Sequence, residues 1–502
     1  MHHSKAVHTC SGCLMSRRRF LSATSGALLA APFLAGAAGE QAPAVGEGYV
    51  DLAEFLPKTK ARIVGAVVRP KPEQRTGWPG REYDFEGRRQ TFEKGFLEAA
   101  ERVGVGLELT PDVLDDDAAV NAFASRMLTE NPDAILLHIQ DLLACRSAEI
   151  IAVKTGLPTI IFEPIGTSVS GVLLALSRRA GVHVISSSET APVEQAFRMV
   201  RAKHHFENSR VLVLTDTHKH EEVFMKPLGV TVRYMPLSVL CELYLSTPAT
   251  GEAEEVVRIM RQQAAEVSGP TDQELLDAAR WFIATKRLLR AESANALTSD
   301  CMEILSWKQV LARPCMASTM LLDNKVVFGC DKDLHGTLSL MLGVSLLDRP
   351  GYIGNPIMET YRNTLILSHC TCATRLNGYD SPPEPVVLRH HAEMGAFVAT
   401  QVLWKKDQQV TMAQFDSPNE LILDTGTVVG NIDTRVDGGC RTSVEVVVDR
   451  LEDVREKLGL HQVMFYGNHR HILEAFCQLY EIKVTNSPER ATRSPIPQPR
   501  KG

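Results

Sequence analysis

The sequence predicts an α/β chain built from two Rossmann-like α/β domains in series, followed by a β-rich C-terminal domain. Three observations predict this. From about residue 60 to 300, short apolar runs alternate with amphipathic helical patterns, which is the mark of βαβ units and a parallel sheet. After Leu365 five strand-like runs follow one another, separated by Pro, Gly and Asp. Finally, 502 residues exceed what one hydrophobic core holds, so two to four domains are expected.

The first domain, 60–165, opens with a strand at Ala61 to Val68 and an amphipathic helix at Arg88 to Val103. Helix, strand, helix and strand follow at Ala118 to Glu130, Ala134 to His138, Ala144 to Thr155 and Pro158 to Phe162. No Gly-rich phosphate loop follows the first strand, so nothing here points to a dinucleotide. The second domain, 166–325, has a short apolar stretch at Gly171 to Arg179, a strand at Val182 to Ser186 and a helix at Ala191 to Lys203. A strand around Val211 to Leu214 leads to the His218 and His220 loop, and a helix is predicted from Gly251 to Val267. Thr271-Asp272-Gln273-Glu274 reads as a capping box opening a long helix to about Arg290.

In the third domain, 326–485, a strand ending at Cys330 passes into an apolar helix, Gly336 to Leu347. Strands are expected at Val386 to Arg389, Ala396 to Trp404, Gln409 to Gln414, Glu420 to Gly430 and Thr442 to Val448. A helix at Leu451 to Leu458 and a strand at Val463 to Tyr466 close the domain, and the Pro- and Arg-rich tail, 486–502, reads as disordered.

The amino terminus is a targeting signal. Ser16-Arg17-Arg18-Arg19-Phe20-Leu21 precedes a weakly apolar run, Ala23 to Ala38, with a small-residue cleavage site at Ala35-Gly36-Ala37. Consecutive arginines followed by Phe-Leu match the twin-arginine export pattern, so residues 1–40 are a signal peptide and a periplasmic or other extracytoplasmic location is expected. No later run reaches about 18 apolar residues, so no membrane span is expected in the mature form. A net charge of −6 and the lack of a basic, aromatic-interleaved tract argue against a nucleic-acid partner. Nine of the eleven cysteines lie beyond the signal and are scattered, which suits buried thiols acting as small hydrophobes better than a disulfide scaffold.

Candidate chemistry gathers at Cys330-Asp331-Lys332-Asp333, where a strand gives way to a helix. Carboxylates are costly to bury there unless a cation or a hydrogen-bond network meets them. His461 is a nitrogen donor downstream, and His369 follows an apolar strand. Asp333 also suits the N-cap of the following helix. The pairs His218/His220 and His469/His471 have the spacing of solvated loops as much as of a metal site.

Five segments in order carry a resemblance: Ser299-Asp300-Cys301, Arg313-Pro314-Cys315-Met316-Ala317, Phe328 to Asp333, Ser368-His369-Cys370, and Gly459 to Gly467. Together they resemble the L-fucose isomerase and L-arabinose isomerase superfamily. The resemblance implies a barrel-like third domain, a homo-oligomer (trimer or hexamer) and a pocket between the second and third domains. It also implies interconversion of an aldose and a ketose, on a deoxyhexose or pentose, through an enediolate. A divalent metal, with Mn²⁺ favoured, would bridge the substrate oxygens. Carried over, the family's Glu, Asp and His ligands fall on Asp331, Asn355 and His461. The catalytic set expected is Asp331 and Asn355 with Asp333, which together with Asp300 or Glu303 could restore the charge lost at Asn355, and Asp300 and His369 are expected to line the substrate pocket. Only the His is unchanged, and Asn355 neither ionises nor acts as a base. An exported carbohydrate-binding homologue without isomerase activity is therefore the alternative reading.

Overall fold

The structure is a computed structural model that describes residues 49–75, 78–167, 169–216, 221–249, 251–301, 303–306, 310 and 312–491. The expected signal peptide, 1–40, His218 and His220, and residues 492–502 of the expected disordered tail lie outside the described residues.

The first sheet is formed by β1 (Arg62–Val68), β2 (Gly106–Leu114), β3 (Ala134–Ile139), β4 (Thr159–Glu163) and β5 (Val182–Ser186). All are parallel, in the order β2-β1-β3-β4-β5, joined by helices such as Phe85–Val103 and Ala144–Thr155. Val64, Ile135, Leu137 and Ile161 are fully buried, as strands covered on both faces require.

The second sheet takes β6 (Arg210–Leu214), β7 (Glu221–Met225) and β8 (Val230–Met235). The chain then leaves it for β9 (Glu266–Ser268) and returns as β10 (Ala296–Ser299) and β11 (Val327–Cys330). The order is β11-β10-β6-β8-β7, parallel except for the antiparallel β7–β8 pair. The predicted capping box forms: the Thr271 hydroxyl accepts from Glu274 N–H at 3.3 Å, and Glu274 accepts from Thr271 N–H at 2.8 Å. The helix it opens runs Asp272–Ala291. β5 and β11 lie past residues 165 and 325, so each sheet takes its last strand from beyond the expected domain limit.

The remaining strands are β12 (Tyr352–Glu359), β13 (Thr364–His369), β14 (Val386–His390), β15 (Val398–Val402), β16 (Gln409–Ser417), β17 (Glu420–Asn431), β18 (Thr442–Val448), β19 (Gln462–Tyr466) and β20 (Lys483–Thr485). Antiparallel pairing in the order β16-β19-β12-β13-β18-β17, closed by β16–β17, makes a six-stranded barrel, with β20 added alongside β17. Closure removes the exposed strand edges. Tyr352 stands inside, its hydroxyl donating to the Thr442 carbonyl at 2.7 Å, beside Trp404 and Tyr466. β14 and β15 pair with β9 in a separate three-stranded sheet.

Three expectations are corrected. The tail read as disordered over 486–502 begins ordered: Asn486 and Ser487 are buried, bonded to Leu423 and Asp424, and Ser487–Ala491 is a helix. The helix predicted over Gly251 to Val267 stops at Gln263, because Glu266–Ser268 pairs with β14. The helix predicted over Leu451 to Leu458 is one 3₁₀ turn, Val454–Glu456: buried residues recur every third position, at Leu451, Val454 and Lys457, rather than at α-helical spacing. Elements not read from the sequence include β12 and the helix Arg470–Leu479.

The helix Leu334–Leu346 joins the second sheet to the barrel wall. Its Gly343 makes the close approach possible, since a Cβ there would lie 2.1 Å from Phe465 Cε1. Gly343→Ala should lower stability by about 1–3 kcal/mol in urea unfolding, the overpacking cost exceeding alanine's better helix propensity.

Candidate active site

β11 ends in an uncommon backbone. Asp331 and Lys332 are consecutive non-glycine residues with φ of 55° and 50°. Aspartate tolerates this region, whereas lysine enters it at roughly 1–2 kcal/mol. Lys332 is held there by side-chain pairing, its Nζ 2.7 Å from Asp300 and 3.0 Å from Glu303. Strain of this kind persists where the surroundings over-determine it, and it gathers at functional sites. The turn aims the Asp331 carboxylate across to the barrel.

Four of the six predicted site residues meet there. Asp331 Oδ2 lies 3.2 Å from His369 Nε2 and 3.6 Å from His461 Nε2. His461 Nδ1 lies 2.9 Å from Asp333 Oδ2, although the two are 128 positions apart in the chain. Pairing of Gly354 with Gln462 across β12–β19 sets His461 at the barrel rim, where the helix Leu334–Leu346 begins. Asp333 does two jobs: Oδ1 caps that helix through Gly336 N–H at 2.9 Å, and Oδ2 orients His461. Both its oxygens are engaged in these contacts. His369 Nδ1 accepts the Cys370 N–H at 3.1 Å, so Nε2 carries the ring proton and donates to Asp331.

Asp300 is one step removed, paired with Lys332 and accepting Glu303 N–H at 3.2 Å. Asn355 does not join the cluster through any hydrogen bond among the described residues. Strand alternation explains its position: Tyr352 points into the barrel, Ile353 points outward against Gly336, and Asn355 follows on that outer face, exposed to solvent. His469 donates to or accepts from nothing in this cluster; its ring contacts the Tyr466 carbonyl at 2.7 Å, and the His471 side chain is 99% exposed.

The sequence left the cysteines as scattered core thiols. Two of them converge on the same carboxylate: Cys301 Sγ and Cys330 Sγ lie 3.4 and 3.6 Å from Asp331 Oδ1. Only the Ser299–Cys330 register of β10 with β11 brings them together. Two open clefts of about 350 and 340 Å³ lie elsewhere, one lined by residues such as Leu56, Asn208 and Ser293 and the other by Glu266, Arg389 and Asp433.

Burial works to raise the Asp331 carboxyl, but hydrogen bonds from His369 and His461 override it and hold it well below the usual carboxylate range. Burial likewise works to lower His461, and the Asp331 and Asp333 carboxylates win, pushing it up to about 9. His461 is thus an imidazolium between two carboxylates at neutral pH. A raised pKa contributes stability that is complete below the unfolded value of 6.5 and is lost as pH rises through about 9. Metal-free protein should therefore lose on the order of 2–3 kcal/mol between pH 6.5 and 9. His461→Gln should flatten that limb, and denaturant curves across the range check it. The depressed Asp331 acts oppositely, its contribution being present above about pH 4 and lost on acidification.

Asp331, His369 and His461 offer ligand atoms within 4.8 Å of one another. Asp331 Oδ2 and His461 Nε2, 3.6 Å apart, have the separation of two atoms on one divalent ion, and the Asp333–His461 bond is the carboxylate–imidazole pairing that orients metal-bound histidines. The residues present fit such an ion, with His369 a donor to the carboxylate rather than a ligand.

No protein-family model matches the chain. A search of curated proteins finds sulfoquinovose isomerase of Clostridium sp. (strain MSTE9), 29% identical over 96 residues, covering 19% of this chain and 21% of that protein. Sulfoquinovose isomerases of Priestia aryabhattai and Priestia megaterium (strain ATCC 12872 / QMB1551) are each 23% identical over 153 residues, covering 30% of this chain and 34% of theirs. The matches thus span about a fifth to a third of those relatives. Among solved structures, the substrate-binding protein CD0873 of Clostridium difficile covers 53% of this chain and 73% of its own at 12% identity and a TM-score of 0.17. The arabinose-binding protein AraP of Geobacillus stearothermophilus covers 57% and 88% at 14% identity and a TM-score of 0.15. At those scores neither carries an argument. The comparisons support a weak, partial similarity of this chain to sugar isomerases.

Proposed function

We propose that this protein is a divalent-metal-dependent sugar isomerase, interconverting an aldose and its ketose at the Asp331–His461 cluster. The observation that carries the reading is the meeting of Asp331, Asp333, His369 and His461 from separate elements. The partial similarity to sulfoquinovose isomerases supports the sugar class and puts sulfoquinovose beside deoxyhexoses and pentoses as a candidate substrate. The twin-arginine pattern supports action outside the cytoplasm.

In this reading Asp331 and His461 hold the ion, and Mn²⁺ suits a carboxylate and imidazole set. When bound, the ion stabilises the oxyanion charge that develops as the proton leaves the carbon next to the carbonyl. Asp333 fixes the His461 ring so that Nε2 faces Asp331, and His369 Nε2–H donates to the same oxygen, Oδ2, and so orients that carboxylate. Since Asn355 cannot ionise, proton movement between the adjacent carbons falls to Asp300 or Glu303, both held by Lys332.

The test is to load the mature protein with Mn²⁺, incubate it with sulfoquinovose, deoxyhexoses and pentoses, and follow ketose formation by NMR. Folded, metal-loaded protein that turns over none of them ends the isomerase reading. The exposed, non-ionising Asn355 favours the second reading, a carbohydrate-binding homologue without turnover. Calorimetry separates the two, because sugar binding indifferent to chelator and without ketose product belongs to the binder.

A further inference from the structure

The two oxygens of Asp331 face two different chemistries. Oδ2 meets imidazoles, whereas Oδ1 meets the sulfurs of Cys301 and Cys330, at 3.4 and 3.6 Å. We propose that Cys301, Cys330 and Asp331 Oδ1 form a second cation site, selective for a thiophilic divalent ion of the zinc class and separate from the imidazole side. It goes beyond the isomerase reading and does not depend on it.

The spacing is that of ligands on a tetrahedral ion. With metal–sulfur bonds of about 2.3 Å and metal–oxygen bonds of about 2.0–2.2 Å, sulfur and oxygen ligands sit roughly 3.5 Å apart. All three ligand atoms lie within 4.8 Å of one another. In the metal-free protein both thiols donate to the one oxygen, Asp331 Oδ1, so two sulfurs and a carboxylate oxygen are already gathered at a single point. The side-chain directions come from the sheet. Cys330 pairs with Ser299 across β10–β11, so both project from one face, and the turn that follows β10 brings Cys301 Sγ to the same carboxylate oxygen. The Ser299 hydroxyl is 1% exposed and finds no hydrogen-bond partner among the described residues. It is a buried orphan beside the thiols, placed to meet a water that completes four ligands. The positive φ of Asp331 turns the carboxylate back over this face.

Binding exchanges protons for metal: M²⁺ and two thiols give a bis-thiolate complex and release two H⁺, with no change of oxidation state. Thiolate and shared carboxylate charge then balance the ion in a buried place. Soft ligands favour Zn²⁺ on this side, while the carboxylate and imidazole side suits harder ions, so Asp331 bridges two unlike sites.

The full-length metal-free protein is titrated with Cd²⁺ and Co²⁺, reading the thiolate-to-metal charge-transfer band, and X-ray absorption of the Zn²⁺-loaded wild type counts sulfur neighbours. One equivalent giving a charge-transfer band, with two sulfurs at about 2.3 Å, is the expected result. Cys301→Ser and Cys330→Ser should weaken Zn²⁺ binding beyond the roughly 10–100-fold of a lost outer-shell partner. Cys241→Ser, on the helix Ser238–Ser246, should leave the band unchanged. His461→Ala should keep it while abolishing Mn²⁺-dependent turnover, so the two readings fail separately. Folded wild type with no thiolate band and no sulfur neighbours overturns the site, the short S···O contacts then being thiol hydrogen bonds only. A band that survives both Cys301→Ser and Cys330→Ser overturns it as well.

Discussion

Asp331→Asn should remove turnover while leaving the protein folded, and Asp331→Ala should damage both. Residue 331 has φ of 55°, a conformation asparagine enters as readily as aspartate, so the amide variant keeps the turn. What it loses is the negative charge facing His369 and His461. His461 then keeps only Asp333 as a charged partner and drops from about 9 toward its ordinary value. A single preorganised electrostatic contact is typically worth 10²–10³ in rate, so kcat should fall by at least about 10³ when ligand and charge go together. Alanine adds left-handed strain of about 1 kcal/mol and leaves the buried His369 Nε2–H unpaired at about 1–3 kcal/mol. Turnover of the sugar identified in the substrate panel, with urea curves for both variants, distinguishes the two. Asp331→Asn retaining a tenth of wild-type turnover would place the chemistry elsewhere.

What the chain discloses in sequence is what depends on neighbours along it. The βαβ alternation and the Thr271 capping box are local, and both stand as predicted. Asp331 and Asp333 are conspicuous because carboxylates at a buried strand end need a reason. His461 is different: only the resemblance singles it out, since its place beside Asp333 follows from the β12–β19 register and barrel closure, which no local pattern encodes. β12 itself contains Gly354 and Pro356 and has no strand signature, yet pairing on both sides overrides propensity. The same alternation sends Asn355 outward, a consequence invisible until Tyr352 is known to face in. β7 begins Glu221-Glu222 and exposes most of its residues, so as an edge strand it has no apolar stripe to advertise it. The thiols of Cys301 and Cys330 are 29 positions apart and become neighbours only through a parallel pairing of two four-residue strands.

The second large effect lies behind His461. Lys457 Nζ is 3.0 Å from Asp424 Oδ2, and their side chains are 1% and 2% exposed. Lys457 also donates to Gln462 Oε1 at 2.6 Å and to the Leu458 carbonyl at 2.9 Å. Asp424 in turn accepts from Ser487 N–H and Oγ at 2.9 and 2.7 Å, and Ser487 Oγ accepts Leu458 N–H at 3.0 Å. This closed network pins both ends of the 457–462 loop, whose Gly459 has φ of +91° and whose Leu460 is exposed, and so fixes His461 against Asp333. Burial lowers the Lys457 pKa, and the Asp424 carboxylate opposes that. Lys457→Met leaves a carboxylate buried without its cation, which costs about 3–5 kcal/mol. Lys457→Met with Asp424→Asn should recover at least half of that, because a neutral pair avoids the unpaired charge while the new amide oxygen still accepts from Ser487. A single-variant cost under about 1 kcal/mol would mean that water reaches the pair and the loop is held otherwise. Because the loop carries His461 and no other member of the cluster, Lys457→Met should also raise the Mn²⁺ concentration needed for half-maximal turnover. The double variant should return that requirement toward wild type in step with stability.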